Sequence, residues 1–256
     1  MSTETTLARP PLEYRALVSP VTDDSYYDNP TGDYIWGPLN IGPLQSGEAY
    51  RKVLDFGCGC GREVRRLLLQ KNPPEEIVGI DISRKMINWC IDNLGKPGSV
   101  TFHHHDVWNP WYAPDNTRDS RMQPIRHAGS GFTLIEANSV FTHILQEESA
   151  FYLEQMTEML APKGMIRGTW FFINKKAFPM MSESQNTVFV NEADPTSAVY
   201  YDWNYFVSLT RGLGYRIAHV DWTAMLGFHN VVYLARDPSF PDQQHLMPPG
   251  TSCLGF

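Results

Sequence analysis

The sequence predicts an α/β fold with a mostly parallel sheet, helices on both faces and an antiparallel strand pair at the end. Three observations predict it. Short apolar runs of strand length alternate with stretches of helical spacing, the pattern of βα units. The first run, Val53-Leu54-Asp55-Phe56, leads through Gly57-Cys58-Gly59-Cys60-Gly61 directly into a helical stretch. The last two runs, Tyr215 to Trp222 and Asn230 to Ala235, are joined by a short turn, which only antiparallel strands allow.

The first 48 residues have no strong period. Pro10, Pro11, Pro20, Pro30, Pro38 and Pro43 favour turns and short helices, and Tyr26, Tyr27, Tyr34 and Trp36 make the segment aromatic. Such an arm either folds over a ligand pocket as a lid or docks on the core, and the sequence leaves both open. The glycines of the turn remove Cβ atoms where backbone bends sharply or touches a ligand. Glu63 to Lys71 continues as a helix, whose start offers free N–H groups. A Walker loop fails here because Arg62 stands where its second glycine is required, and a dinucleotide fingerprint needs its third glycine at the same position.

After Pro73-Pro74, Glu76 to Asp81 is a second buried strand ending in a carboxylate. Asp81 lies about 20 residues beyond the glycines, where an acid can accept both hydroxyls of a ribose. Ser83 is the expected cap of a helix running to about Leu94, with Met86, Ile87 and Cys90 on one face. Ser99 to Asp106 is the third strand. Its alternation keeps His103, His104 and His105 from converging on one ion; His103 and His105 share a face, as a pair of packed histidines or as metal ligands. Asn109 to Gly131 is a loop longer than compact domains usually carry. Phe132 to Asn138 is a fourth strand, Glu147 to Leu160 a helix, Met165 to Ile173 a fifth strand and Asp202 to Leu213 a helix closed by Gly214. Asn174 to Tyr200 is polar, aromatic and irregular, and reads as an insertion on the substrate side. The expected organisation is an arm or lid over 1–48, a core domain over 49–237 and an extended tail over 238–256.

With 42% hydrophobic residues the 256-residue chain can bury a full core, and 19% charged residues argue against general disorder. A net charge of −7 argues against a nucleic-acid partner, which calls for a basic stripe. No apolar run has the length to span a bilayer, and the first five residues lack the basic-then-apolar pattern of a signal peptide. A cytoplasmic location is expected. Four cysteines, two of them in the glycine turn, do not form a disulfide framework, and no metal site is expected.

From Val53 to about Phe172 the chain resembles the class I S-adenosylmethionine (SAM)-dependent methyltransferases, with a weaker match to the end. Asp55-Phe56-Gly57-Cys58-Gly59-Cys60-Gly61-Arg62, Ile80-Asp81-Ile82, Asp106 and Leu160-Ala161-Pro162-Lys163-Gly164 carry the resemblance in order. Ile87-Asn88-Trp89-Cys90 and Ser139 to Ile144 look like a bacterial branch linked to sugar, glycan or secondary-metabolite modification. Two departures stand out. Thr133 replaces the usual aspartate of the fourth strand, and the excursion before Phe132 is long.

The resemblance implies a Rossmann-like sheet of seven strands with the last antiparallel. It implies SAM as cofactor and S-adenosylhomocysteine as product. Gly57, Gly59 and Gly61 would face the methionine and ribose, Asp55 the methionine amine, Asp81 the ribose, Asp106 with Val107 the adenine, and Ile82 is a further candidate contact to the cofactor. Asn138 and Ser139 would stand beside the transferable methyl group. Tyr26, Tyr27, Trp36, Ser139 and His229 are the candidate contacts to a small-molecule acceptor, and a homodimer is compatible with this reading.

An already activated methyl group leaves the enzyme chiefly to position the acceptor. A hydroxyl of high pKa also needs a base. His143, just past the fourth strand, is the candidate, and its competing role is a helix-start histidine bonded to backbone. His229, Asp202 and Tyr201 are weaker candidates. The reading is a methyltransferase acting on a small-molecule hydroxyl. Its alternatives are transfer to nitrogen, carbon or a protein side chain, and a SAM-binding module without catalysis.

Overall fold

The computed structural model of the chain describes residues 7–29, 32–116, 122–225, 229–246 and 248. They form two compact units, Met1–Leu39 with Gln45–Ala128, and Asn40–Leu44 with Gly129–Phe256.

In the first unit β1 (Lys52–Phe56), β2 (Glu76–Asp81) and β3 (Val100–His104) run parallel, with β2 in the middle. The register places Asp55 beside Gly79 and Asp81 beside His104. The apolar runs read from the sequence explain these strands, since Val53, Leu54, Ile77 and Val78 are buried on both faces as a parallel sheet requires. Four helices accompany them: α1 (Leu12–Val18), the single turn α2 (Ser46–Ala49), α3 (Arg62–Leu68) and α4 (Arg84–Leu94). The helix after the glycine turn is thus shorter than expected, closing at Leu69. Helix α4 buries Met86, Ile87, Cys90 and Leu94, one stripe at helical spacing.

Ser83 stands at the N-cap of α4, as expected, though its hydroxyl makes no capping bond. Its backbone N–H donates to Asp81 Oδ1 at 2.7 Å, which fixes the approach to the helix.

In the second unit β4 (Phe132–Ala137) lies parallel to β5 (Leu160–Ile173). Strand β9 (His229–Ala235) is antiparallel to β5 and to β8 (Arg216–Met225), which confirms the antiparallel closing pair. The seven strands implied by the resemblance are therefore β1 to β5, β8 and β9. The segment expected to be an irregular insertion adds two more, β6 (Thr187–Phe189) and β7 (Val199–Asp202), with β7 parallel to the end of β5. Helices α5 (Gln146–Met159) and α6 (Trp203–Gly212) complete the unit. A core of Trp170, Phe172, Trp203 and Phe206 rings, each within about van der Waals reach of the next, explains why this aromatic-rich half folds around β5.

The described part of the tail is pinned. Phe240 is buried, Arg216 Nε donates to its carbonyl at 3.0 Å, and Trp203 Nε1 donates to the Leu246 carbonyl at 2.6 Å. Cys253 lies outside the described residues.

Candidate functional site

The glycine turn is held from below by strand β2. Gly57 and Cys58 both donate their N–H to the Ile80 carbonyl, at 2.8 and 2.9 Å, and Gly57, Gly59 and Gly61 all adopt positive φ. Only glycine takes three such residues in so short a span without strain. Asp81 reaches back to this turn. Its Oδ2 accepts the Gly59 N–H at 2.8 Å while its Oδ1 accepts Ser83, so one carboxylate ties the glycine turn to the start of α4. Burial raises the Asp81 pKa, against the lowering effect of these two N–H groups. The side chain keeps a partly exposed rim, and a carboxylate has lone pairs to spare beyond two accepted bonds.

The glycines divide their labour. A Cβ on Gly59 would lie 2.8 Å from Val18 Cγ1 at the end of α1, so this glycine lets another group approach the turn closely. A Cβ on Gly61 would lie 2.7 Å from Leu94 and 2.9 Å from Cys90 Sγ, so Gly61 serves the packing of α4. The thiols of Cys58, Cys60 and Cys90 are buried around the turn, and burial raises all three pKa values, that of Cys60 to about 11. No group of three or more metal-binding side chains occurs among the described residues.

At the ends of β2 and β3, Asp106 is partly exposed and Val107 buried. Ile82, also partly exposed, lends its carbonyl to His104 Nε2 at 3.1 Å and to Asn116 Nδ2 at 3.0 Å. Asn116 donates as well to the Val107 carbonyl at 2.8 Å. This bridging amide was missed in the sequence; the unusual length of its loop was the only signal. Asp55 is buried at the centre of β1. Of the histidine pair, His103 packs edge-on against the His127 ring at 5.4 Å and His105 is buried.

The arm docks over the turn. Tyr27 is fully buried in a cluster with Cys60 and Met86, to which Tyr14, Val18 and Tyr26 add their faces. Arg62 lies 5.2 Å over the Tyr26 ring. Arg65, buried, donates to the carbonyls of Leu7, Ala8 and Tyr27 and pairs with Asp28. Arg15 pairs with Asp24 at 2.7 Å. Trp36 stacks on Tyr50 at 5.9 Å. Tyr27 and Trp36 thus take part in packing the arm.

In the second unit, Asn138 and Ser139 follow β4. Ser139 has φ of 56°, a left-handed conformation that costs a non-glycine residue energy, and its N–H donates to Thr169 Oγ1 at 2.7 Å. His143 is partly buried, and its Nδ1 meets the Thr196 carbonyl at 3.0 Å. A carbonyl only accepts, so Nδ1 carries the proton and the neutral ring has its lone pair on Nε2. Burial lowers the His143 pKa and keeps that ring neutral. Asp202 and Tyr201, two of the other candidates, hold structure in place. Asp202 is buried and accepts the N–H groups of Lys175 and Tyr205, at 2.8 and 3.0 Å, as the cap of α6. Tyr201 is buried, donates to the Ile144 carbonyl, and has its pKa raised by burial. His229 is buried with its ring 4.7 Å from that of Phe171, which stacks on Tyr200 at 4.8 Å.

Residues 54–166 match a family model described as a methyltransferase domain. A curated relative, methyltransferase psoC of Aspergillus fumigatus, is 23% identical over 144 residues, covering 56% of this chain and 45% of the relative. Among solved structures, an O-methyltransferase family protein from Burkholderia thailandensis superposes with a TM-score of 0.52 at 12% identity, over 76% of this chain and 53% of that one. Human N-acetylserotonin methyltransferase, solved with SAM, gives 0.49 at 12% identity, over 74% and 48%. The chain spans about half the length of these relatives, and the Burkholderia superposition bears on the fold alone.

Proposed function

We propose that this chain, whose residues 54–166 match a methyltransferase-domain model, moves a methyl group from SAM to a hydroxyl oxygen of a small molecule, a sugar or secondary metabolite. The residues of the first unit suit the cofactor. Asp81, a half-buried residue beside the glycine turn, would accept two ribose hydroxyls, and the positive-φ glycines would present backbone to the methionine part. Asp106, Val107 and Ile82 form the edge that would receive adenine, braced by Asn116. Asp55 supplies negative charge toward an amine. When bound, SAM supplies a methyl group already activated on a sulfonium.

The observation that carries an oxygen acceptor is the state of His143. Its Nδ1 donates to the Thr196 carbonyl, which leaves the neutral ring's lone pair on Nε2, the protonation form a general base needs. In this reading His143 takes the hydroxyl proton as the new oxygen–carbon bond forms, while Asn138, Ser139 and His229 line the acceptor's side. Ser139 sits strained there, as residues at binding sites often do.

The test is twofold. Calorimetry with S-adenosylhomocysteine reads cofactor binding, and labelled methyl transfer to a panel of sugars, phenols and amines reads the acceptor. Binding with transfer to hydroxyls only, lost in His143→Ala, is the expected result. Transfer to amines that survives His143→Ala would replace the oxygen reading with a nitrogen one. A folded protein that binds no S-adenosylhomocysteine would overturn the proposal.

A further inference from the structure

The insertion between β5 and β7 holds the partner of His143. Pro195–Ser197 forms one tight turn, and Thr196 within it is 4% exposed. Asp194 builds this turn from three sides. Its Oδ1 accepts the Thr196 hydroxyl at 3.0 Å, and its carbonyl accepts the Ser197 hydroxyl at 2.9 Å and the Ser197 N–H at 3.1 Å. Asn191 anchors the approach, accepting the Ala193 N–H on its side chain at 3.0 Å and the Asp194 N–H on its carbonyl at 3.1 Å. Two residues later Val199 donates its N–H to the Thr142 carbonyl at 2.9 Å. His143 donates its own N–H to the Val140 carbonyl at 2.8 Å. The histidine's backbone and the turn are thus fixed against each other on either side of the imidazole.

We infer that the Asp194–Ser197 turn is a positioning device that selects the His143 tautomer by presenting the Thr196 carbonyl to Nδ1. Unconstrained imidazole in water favours the proton on Nε2, which would leave the basic lone pair on the opposite side of the ring. The turn reverses that preference. Asp194 and Thr196 act through His143 and are positioning residues. The catalytic consequence rests on His143 being the base proposed above, whereas the tautomer is a property of the protein alone.

The two are separated by reading the ring directly. Nitrogen-15 NMR of histidine-labelled protein distinguishes the tautomers, and the His143 signals are identified by their loss in His143→Ala. The expected wild-type ring carries its proton on Nδ1. Asp194→Ala and Thr196→Val should move it toward the Nε2–H form and lower kcat about tenfold or more, as expected when an orienting partner of a catalytic histidine is lost. KM and S-adenosylhomocysteine affinity should stay within about twofold, because neither residue is placed at the cofactor. Asp194→Asn, which keeps the accepting oxygen, should restore both readings. A wild-type ring protonated on Nε2 overturns the inference without needing any variant to fold. So does an unchanged tautomer in both folded variants. A tautomer that shifts while kcat does not upholds the positioning and removes His143 as the base.

Discussion

Replacing Asp81 by alanine should damage both the fold around the glycine turn and the affinity for SAM, by amounts the geometry allows to be estimated. The carboxylate accepts two backbone N–H groups, from Gly59 at 2.8 Å and Ser83 at 2.7 Å. Hydrogen bonds to a charged group contribute about 1.5–3 kcal/mol each, and water reaching the partly exposed site recovers part of that. A loss of about 2–3 kcal/mol in unfolding free energy is expected, or a fall in Tm of about 5–10 °C for a chain of this size. Chemical denaturation and a thermal scan read it. Loss of the charged acceptor for two ribose hydroxyls should weaken SAM by a further 2–4 kcal/mol, roughly 30- to 1,000-fold, read by calorimetry below the new Tm. Asp81→Asn keeps one accepting oxygen and should fall between wild type and alanine in both. Ionisation adds a sign. Burial raises the folded pKa of Asp81, so this carboxylate costs stability as pH rises through that pKa and SAM-free protein gains stability below it. Ribose hydroxyls favour the ionised form, so SAM affinity should fall as pH drops through the same range. A folded Asp81→Ala protein with unchanged SAM affinity would refute the assignment, and unchanged Tm would refute the tie between turn and helix.

Other expectations follow from single contacts. Gly59→Ala puts a methyl 2.8 Å from Val18 Cγ1 at a φ of 51°, so it should destabilise by about 1–2 kcal/mol and speed hydrogen exchange in residues 12–28; unchanged exchange would mean that α1 is not seated on the turn. Arg65→Ala strips the arm of bonds to three carbonyls and Asp28, and should cost about 2–4 kcal/mol and expose the arm to proteolysis. His143 has a folded pKa below the ordinary value of about 6.5, so the acid limb of kcat should lie below that value and vanish in His143→Gln; a limb at or above 6.5 would point to another base. The same shift means that His143 contributes stability above its unfolded pKa and that this contribution is lost as pH falls below it.

Strands β1, β2 and β4 and helices α4 and α5 were legible because burial on a regular element leaves a period in the sequence. Asp81 was legible as the carboxylate closing β2, but not its hold on the Gly59 and Ser83 N–H groups, which any residue type presents. What the sequence hid was carried by atoms without a sequence signature. The Thr196 carbonyl that fixes His143 belongs to every residue type, and only the fold brings it 53 positions along the chain to the imidazole. Gly61 and Gly59 look identical in the motif, yet one makes room for Leu94 and the other for Val18. Ser83 takes the cap position its chemistry suggests, yet it is its backbone N–H, bonded to Asp81 two residues earlier, and not its hydroxyl that is engaged there. Tyr27 and Trp36 read as binding aromatics because exposure cannot be judged in a segment without a period.

The three thiols around the glycine turn bear on a hazard of the chemistry proposed here. A sulfonium methyl donor is an alkylating agent, and the thiolate is the side-chain form it attacks most readily. An ordinary cysteine, with a pKa of about 8.5, is a few per cent thiolate at neutral pH. With its pKa at about 11, Cys60 is ionised in about one molecule in ten thousand at pH 7, and burial pushes Cys58 and Cys90 in the same direction. Withholding water from the sulfurs is thus a form of chemical insulation. It lets the chain carry cysteines at the turn expected to hold an electrophile, with little of the nucleophile that would consume it.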